Sequence, residues 1–256
     1  MGHISKLTSK LPWVFGIALC AVSSPTSAVD VSVAVASNFT APMQKIALAF
    51  EQDTGHKALL AFGATGGLYA QIKNGAPFQV FLAADKEVPA RIEKEGLGVT
   101  GSQFTYAIGK LVLWSKQPGL VDDKGEVLSK GGFDKLAVAS PKLAPYGAAT
   151  IETLTKLGLL TQLKPKFVEG SNIGQTLQFV ASKNAALGFV ALSQVFADGR
   201  ITEGSAWIVP ASFHAPILQN AVLLVQGKDN VAATALLRYL KTERAQAIIS
   251  AYGYDL

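Results

Sequence analysis

The sequence predicts an α/β protein built as two lobes. Short β-like runs alternate with amphipathic stretches along most of the chain. The 256 residues are 49% hydrophobic, enough for two cores of roughly 100 residues each. A long apolar run near the middle, Tyr106 to Trp114, reads as a strand crossing from one lobe to the other, and the chain returns near Val209 to Leu218.

The elements follow in order. Val31 to Ala36 (VSVAVA) reads as a strand. Ala41 to Thr54 reads as a helix, because Met43, Ile46, Ala47 and Phe50 repeat at helical spacing. His56 to Phe62 is a strand, Gly66 to Asn74 a short helix, Phe78 to Ala83 a strand, and Glu87 to Glu95 a helix. After the crossing come a strand at Leu136 to Ala139, a helix at Gly147 to Leu157, a strand at Lys166 to Glu169, a helix at Ile173 to Ser182 and a strand at Ala186 to Ala191. Strands at Ala206 to Val209 and Ala221 to Val225 flank the return, and Asn230 to Ser250 forms a closing helical region. The expected division is residues 29–108 with 210–256 for the first lobe and 109–209 for the second.

Residues 1–28 read as a secretory signal peptide. Lys6 and Lys10 supply the positive end, Leu11 to Val22 the apolar stretch, and Thr26-Ser27-Ala28 a small-residue cleavage site. The apolar stretch falls well short of the ~20 residues of a spanning helix. Removing this segment lowers the formal charge from +5 to +3 and removes Cys20, the one cysteine. Disulfides, thiol catalysis and cysteine-ligated metals are thereby excluded from the mature chain. No cluster of lysine and arginine is interleaved with aromatics, so nucleic acid is not an expected partner.

Four segments could carry chemistry: Ala36-Ser37-Asn38-Phe39-Thr40, Phe62-Gly63-Ala64-Thr65-Gly66-Gly67, Ala144-Pro145-Tyr146-Gly147-Ala148-Ala149 and Gly170-Ser171-Asn172-Ile173-Gly174. Each closes a strand or loop and opens a helix with small or polar residues. A helix start presents unpaired N–H groups and a partial positive charge, which suits an anion. The hydroxyls of Ser37 and Thr65 would add neutral donors, and several such donors aimed at one point can hold a dianion without lysine or arginine. The competing reading is that these residues are plain helix caps. Other motifs fail: the dinucleotide fingerprint and the P-loop are absent, and no G-x-S-x-G elbow surrounds Ser37. His56 and His214 lack metal-ligand spacing and read as surface residues.

At these segments the chain resembles the periplasmic molybdate-binding proteins of bacterial ABC transporters. The resemblance runs over nearly the whole mature chain. It rests on Val33 to Phe39 (VAVASNF), Phe62 to Ile72 (FGATGGLYAQI), Asn74 to Asp85 (NGAPFQVFLAAD), Ala137 to Pro141, Pro145-Tyr146-Gly147 and Leu187 to Val190. It implies a type II periplasmic-binding-protein fold, each lobe a mixed sheet flanked by helices, with two hinge crossings. It implies a protein that binds molybdate or tungstate and is not an enzyme, with no cofactor. Its partner would be an inner-membrane ABC-transporter permease, and the protein would act as a periplasmic monomer. Ser37 would donate its hydroxyl and N–H, Asn38 and Thr65 further donors, and Tyr146 and Ile173 backbone N–H groups. Some family members add a tyrosine hydroxyl where this chain has Ala191. Another oxyanion such as sulfate or chromate, or a sensor or enzyme on the same scaffold, is the alternative. Phosphate carries a proton at neutral pH and would want a carboxylate acceptor, which the four segments lack.

Overall fold

The computed structural model describes residues 1–3 and 28–256; the body of the expected signal segment, Cys20 included, lies outside the described residues. The fold is two mixed sheets, each covered by helices on both faces.

The first sheet starts with β1 (Asp30–Ala36), α1 (Thr40–Thr54), β2 (Lys57–Gly63), α2 (Thr65–Lys73), β3 (Val80–Leu82) and α3 (Glu87–Lys94). β1 lies parallel to β2 on one side and β3 on the other. Val31, Val33 and Val35 point into a core with Met43, Ile46 and Phe50 of α1, while Ala34 faces Leu68 and Ile72 of α2. A strand buried on both faces has to be apolar throughout, which is why Val31 to Ala36 carries just one polar residue, Ser32. α1 ends where Gly55 takes φ +74°, a conformation favouring glycine.

The predicted long strand Tyr106 to Trp114 is two strands. β4 (Phe104–Gly109) belongs to the first sheet and β5 (Leu111–Ser115) to the second, with the break at Lys110. The apolar pattern runs through the break because both halves are buried, each in its own core. The second sheet then continues with α4 (Val127–Lys130), β6 (Leu136–Ala139), α5 (Pro145–Lys156), α6 (Leu160–Leu163), β7 (Phe167–Gly170), α7 (Ile173–Ala181) and β8 (Leu187–Ala191). A small hairpin of β9 (Phe196–Ala197) and β10 (Arg200–Ile201) follows, then β11 (Ser205–Ile208). The second sheet has the order β11-β5-β8-β6-β7.

The chain returns to the first sheet through β12 (Ile217–Leu223), antiparallel between β3 and β4, giving the order β2-β1-β3-β12-β4. This strand starts four residues earlier than the predicted Ala221 to Val225, because Gln219 and Asn220 interrupt its apolar pattern. The closing helical region is α8 (Val231–Tyr239) and α9 (Glu243–Ala251) rather than one run. Thr242 ends the continuity: its side chain accepts from Ala245 N–H and caps α9. His56 is buried, against the expectation of a surface site. Its Nδ1 accepts from Val29 N–H at 3.2 Å, and its ring packs near Phe50. His214 is half-buried in a loop.

One topological feature positions the site. β6, β7 and β8 repeat the arrangement of β1, β2 and β3, with the first strand central and parallel to the other two. In each sheet the helices that follow the first and second strands therefore begin at the same edge, the carboxyl edge where α/β sheets bind ligands.

Candidate functional site

Those four helix starts converge. Ser37 and Asn38 form a single 3-10 turn after β1, Thr65 opens α2 after β2, Tyr146 is the second residue of α5 after β6, and Ile173 opens α7 after β7. All five residues line one small cavity of about 10 Å³, walled otherwise by Ala36, Gly63, Ala64, Ala84, Ala144 and Pro145. The walls come from both sheets, and the lining holds no charged side chain. A Cβ built on Gly174 would lie 3.5 Å from the Ser37 Cβ, so the start of α7 abuts the first sheet's wall. The sheets close on each other at the outer side, where Gly66 N–H donates to Leu143 C=O at 2.9 Å.

The hydroxyls decide between cap and donor. Ser37 caps nothing, and its Oγ is the one buried side-chain oxygen or nitrogen without a hydrogen-bond partner among the described residues. A buried hydroxyl without a partner costs stability, so it needs an explanation such as a ligand. Thr65 is 1% exposed, and its Oγ1 accepts from Ala84 N–H at 3.0 Å, leaving its proton to donate. Thr65, Tyr146 and Ile173 stand in the first turn of their helices, where an N–H has no carbonyl one turn back. In the fourth segment the cap reading holds for Asn172, whose side chain accepts from Gln175 N–H at 3.0 Å.

Asn38 differs from a simple donor. Both protons of its side-chain amide are committed, to Gln219 Oε1 at 2.7 Å and to the Tyr254 hydroxyl at 2.9 Å. What it keeps for the cavity is its backbone N–H. Ala191 does not line the cavity; it is fully buried, and its N–H donates to Gln194 Oε1. Behind the cavity lies a polar layer that motif reading missed: Tyr106, Ser193, Gln219 and Tyr254 are all buried. Burial holds the hydroxyls of Tyr106, Tyr146 and Tyr254 above their usual range, so they stay protonated. The visible signal was a Gln-Asn pair inside the apolar strand Ile217–Leu223.

A wider cleft of about 460 Å³ opens beside the cavity and shares Ala84, Ala144 and Pro145 with it. Its charged residues are Asp85, Lys86, Glu87, Lys142 and Glu152. Desolvation, with the Glu87 charge adding to it, pushes the Asp85 carboxyl up from 3.8 to about 6, although Val88 N–H and Arg91 pull it down. Such an acid favours folding in its neutral form, so the contribution of Asp85 to stability falls as pH rises from about 4 to about 6 and is flat above. Asp85→Asn keeps the acceptor for Val88 N–H and removes the charge. It is expected to raise the unfolding midpoint at pH 7.5 and to match the parent below pH 4; thermal melts across this range check it, and an equal or lower midpoint at pH 7.5 counts against it. Among the described residues there is no His/Cys/Asp/Glu group fit for a metal ion, and no helix is long and apolar enough to cross a membrane.

Two mixed sheets closed over a neutral, donor-lined cavity define a two-lobed periplasmic-type binding protein. The chain belongs to the bacterial extracellular solute-binding proteins, whose family profile matches residues 31–255. Among its relatives is a molybdate-binding protein ModA of Azotobacter vinelandii, 58% identical over 248 residues, covering 97% of this chain and 98% of the relative. A molybdate-binding protein ModA of Rhodobacter capsulatus is 50% identical over 244 residues, covering 95% and 93%. A solved structure, the Azotobacter vinelandii periplasmic molybdate-binding protein, superposes with a TM-score of 0.86 at 43% identity, covering 88% of this chain and 99% of that one.

Proposed function

We propose that this protein captures a tetrahedral oxyanion, molybdate or tungstate, between its lobes and delivers it to an ABC-transporter permease in the inner membrane. The observation that carries the reading is the buried, unpartnered Ser37 Oγ in a cavity lined by helix starts from both sheets. The named relatives support it. Ser37 and Thr65 donate hydroxyl hydrogen bonds, and Ser37, Asn38, Tyr146 and Ile173 donate backbone N–H groups. Neutral donors in a desolvated site favour a fully ionised dianion over a protonated anion, since none of the lining side chains is a carboxylate that would accept the proton. The reading is binding rather than catalysis, because the lining places no general base beside Ser37.

The lobes divide at residues 29–108 with 210–256, and 109–209, a division supported by the sheet memberships of β4, β5, β11 and β12 except at Gly109, which closes β4 in the first sheet. The protein works as a periplasmic monomer and needs neither cofactor nor nucleic acid. Export removes residues 1–28, so N-terminal sequencing of the exported protein should start at Val29, within a few residues; exported protein starting at Met1 would refute this. Calorimetric titration of the mature protein tests the ligand. Molybdate and tungstate should bind alike, sulfate more weakly, and phosphate not measurably. Absence of molybdate binding, or a preference for phosphate, would overturn the reading.

A further inference from the structure

Gln219 is fully buried in the middle of β12, where an amide is costly unless its groups are paired. It is paired on both sides of the cavity. Its Oε1 accepts from Asn38 Nδ2 at 2.7 Å and from the Tyr106 hydroxyl at 3.1 Å, and its Nε2 donates to the Tyr146 hydroxyl at 3.2 Å. Asn38 and Tyr146 belong to opposite walls, and Gln219 stands on the strand that follows the return between sheets. The β12–β4 ladder shifts register between Gln219 and Asn220. Gly109, the last residue of β4, makes room for the contact: a Cβ there would sit 2.1 Å from the Tyr146 hydroxyl oxygen and 2.8 Å from Gln219 Nε2.

The remaining bonds pin Asn38 further. The Ser193 hydroxyl donates to Asn38 C=O at 2.8 Å, and the Tyr254 hydroxyl lies within bonding distance of both Asn38 and Ser193. Every side chain in this layer is neutral.

We infer that Gln219 is the positioning residue of the anion site, fixing Asn38 and Tyr146 against each other across the two lobes so that their backbone donors converge. It touches no ligand. Its neutral amide does two things that no carboxylate would do: it donates to Tyr146, and it places no charge behind the donors. This inference rests on the function proposed above.

Gln219→Glu, of nearly the same shape, tests it, with Tyr146→Phe as a second variant that cuts the Gln219 contact and keeps the Tyr146 N–H. Molybdate affinity and dissociation rate are measured from pH 6 to pH 8.5 beside the ligand-free unfolding midpoint. Gln219→Glu should bind tenfold or more weakly at high pH, through faster dissociation, and should regain affinity as the carboxyl is protonated at low pH. The parent, in which Asp85 at the neighbouring cleft titrates at about 6, should change far less across the range than Gln219→Glu. Tyr146→Phe should lose roughly threefold to tenfold, the worth of one neutral hydrogen bond. Asn220→Ala, which removes the neighbouring contact with Thr105, should leave affinity unchanged. A merely structural role would lower the unfolding midpoints of Gln219→Glu and Tyr146→Phe while leaving affinity and its pH profile intact, and that result overturns the inference. Should Gln219→Glu not fold, parent-like binding by Tyr146→Phe overturns it alone. If the parent itself does not bind molybdate, the proposed function is what fails.

Discussion

Replacing Ser37 by alanine is expected to weaken molybdate binding tenfold to a hundredfold while leaving the ligand-free protein at least as stable as before. The hydroxyl has no partner to lose among the described residues: it caps no helix, and its Oγ makes no hydrogen bond. Its contribution appears only with a ligand, and a hydrogen bond to a charged partner is worth about 1.5–3 kcal/mol, with about 1.4 kcal/mol per decade of affinity. Thr65→Ala should behave differently. It loses affinity on the same scale, but it also strands Ala84 N–H, whose acceptor is Thr65 Oγ1, at a cost of about 1–3 kcal/mol in stability. Titrations and melts on both variants separate a ligand donor from a structural hydroxyl. Parent-like molybdate affinity in Ser37→Ala would show that the site has been misplaced.

The contrast between these two hydroxyls marks where sequence reading reached its limit. That Ser37 and Thr65 sit at strand-to-helix junctions was legible, because β1 and β2 are continuous apolar runs ending in small residues. Which hydroxyl was already engaged was not, since Ala84 lies on the loop after β3. The same holds for Asn38, whose partners Gln219 and Tyr254 are 181 and 216 residues away. Local periodicity located β1 to α3 to within a few residues, since each element alternates with a glycine-rich or polar turn. It ran Tyr106 to Trp114 together because burial in two different cores leaves one unbroken apolar pattern. It carried one helical region across Leu240 because that residue is buried on either reading, and the cap at Thr242 is what ends the run. His56 looked exposed beside Lys57, but its pairing with Val29 N–H draws it inside.

Gly66→Asp should reduce molybdate affinity more than a hundredfold, a larger loss than either alanine change. Two effects act together. Gly66 faces Leu143 across the closure: its N–H bonds to Leu143 C=O, and a Cβ would stand 3.3 Å from the Leu143 Cα and carbonyl oxygen. Those atoms are backbone and give way less easily than a side-chain tip. The added carboxylate also stands one residue from Thr65, at the helix start that is proposed to face the anion. Two like charges ~6 Å apart repel by about 3 kcal/mol at an effective dielectric near 20, and a dianion doubles this. The helix itself should tolerate the change, because an acidic residue in the first turn complements the macrodipole by about 0.3–1 kcal/mol. The variant is therefore expected to fold, with its own carboxylate competing for the donors meant for the ligand. Gly66→Asn adds the same bulk without the charge and should fall between the parent and Gly66→Asp. The gap between the two variants should narrow with added salt as the repulsion is screened. Titrations of both at low and high ionic strength check this, and a Gly66→Asp protein that binds molybdate within tenfold of the parent would remove α2 from the site.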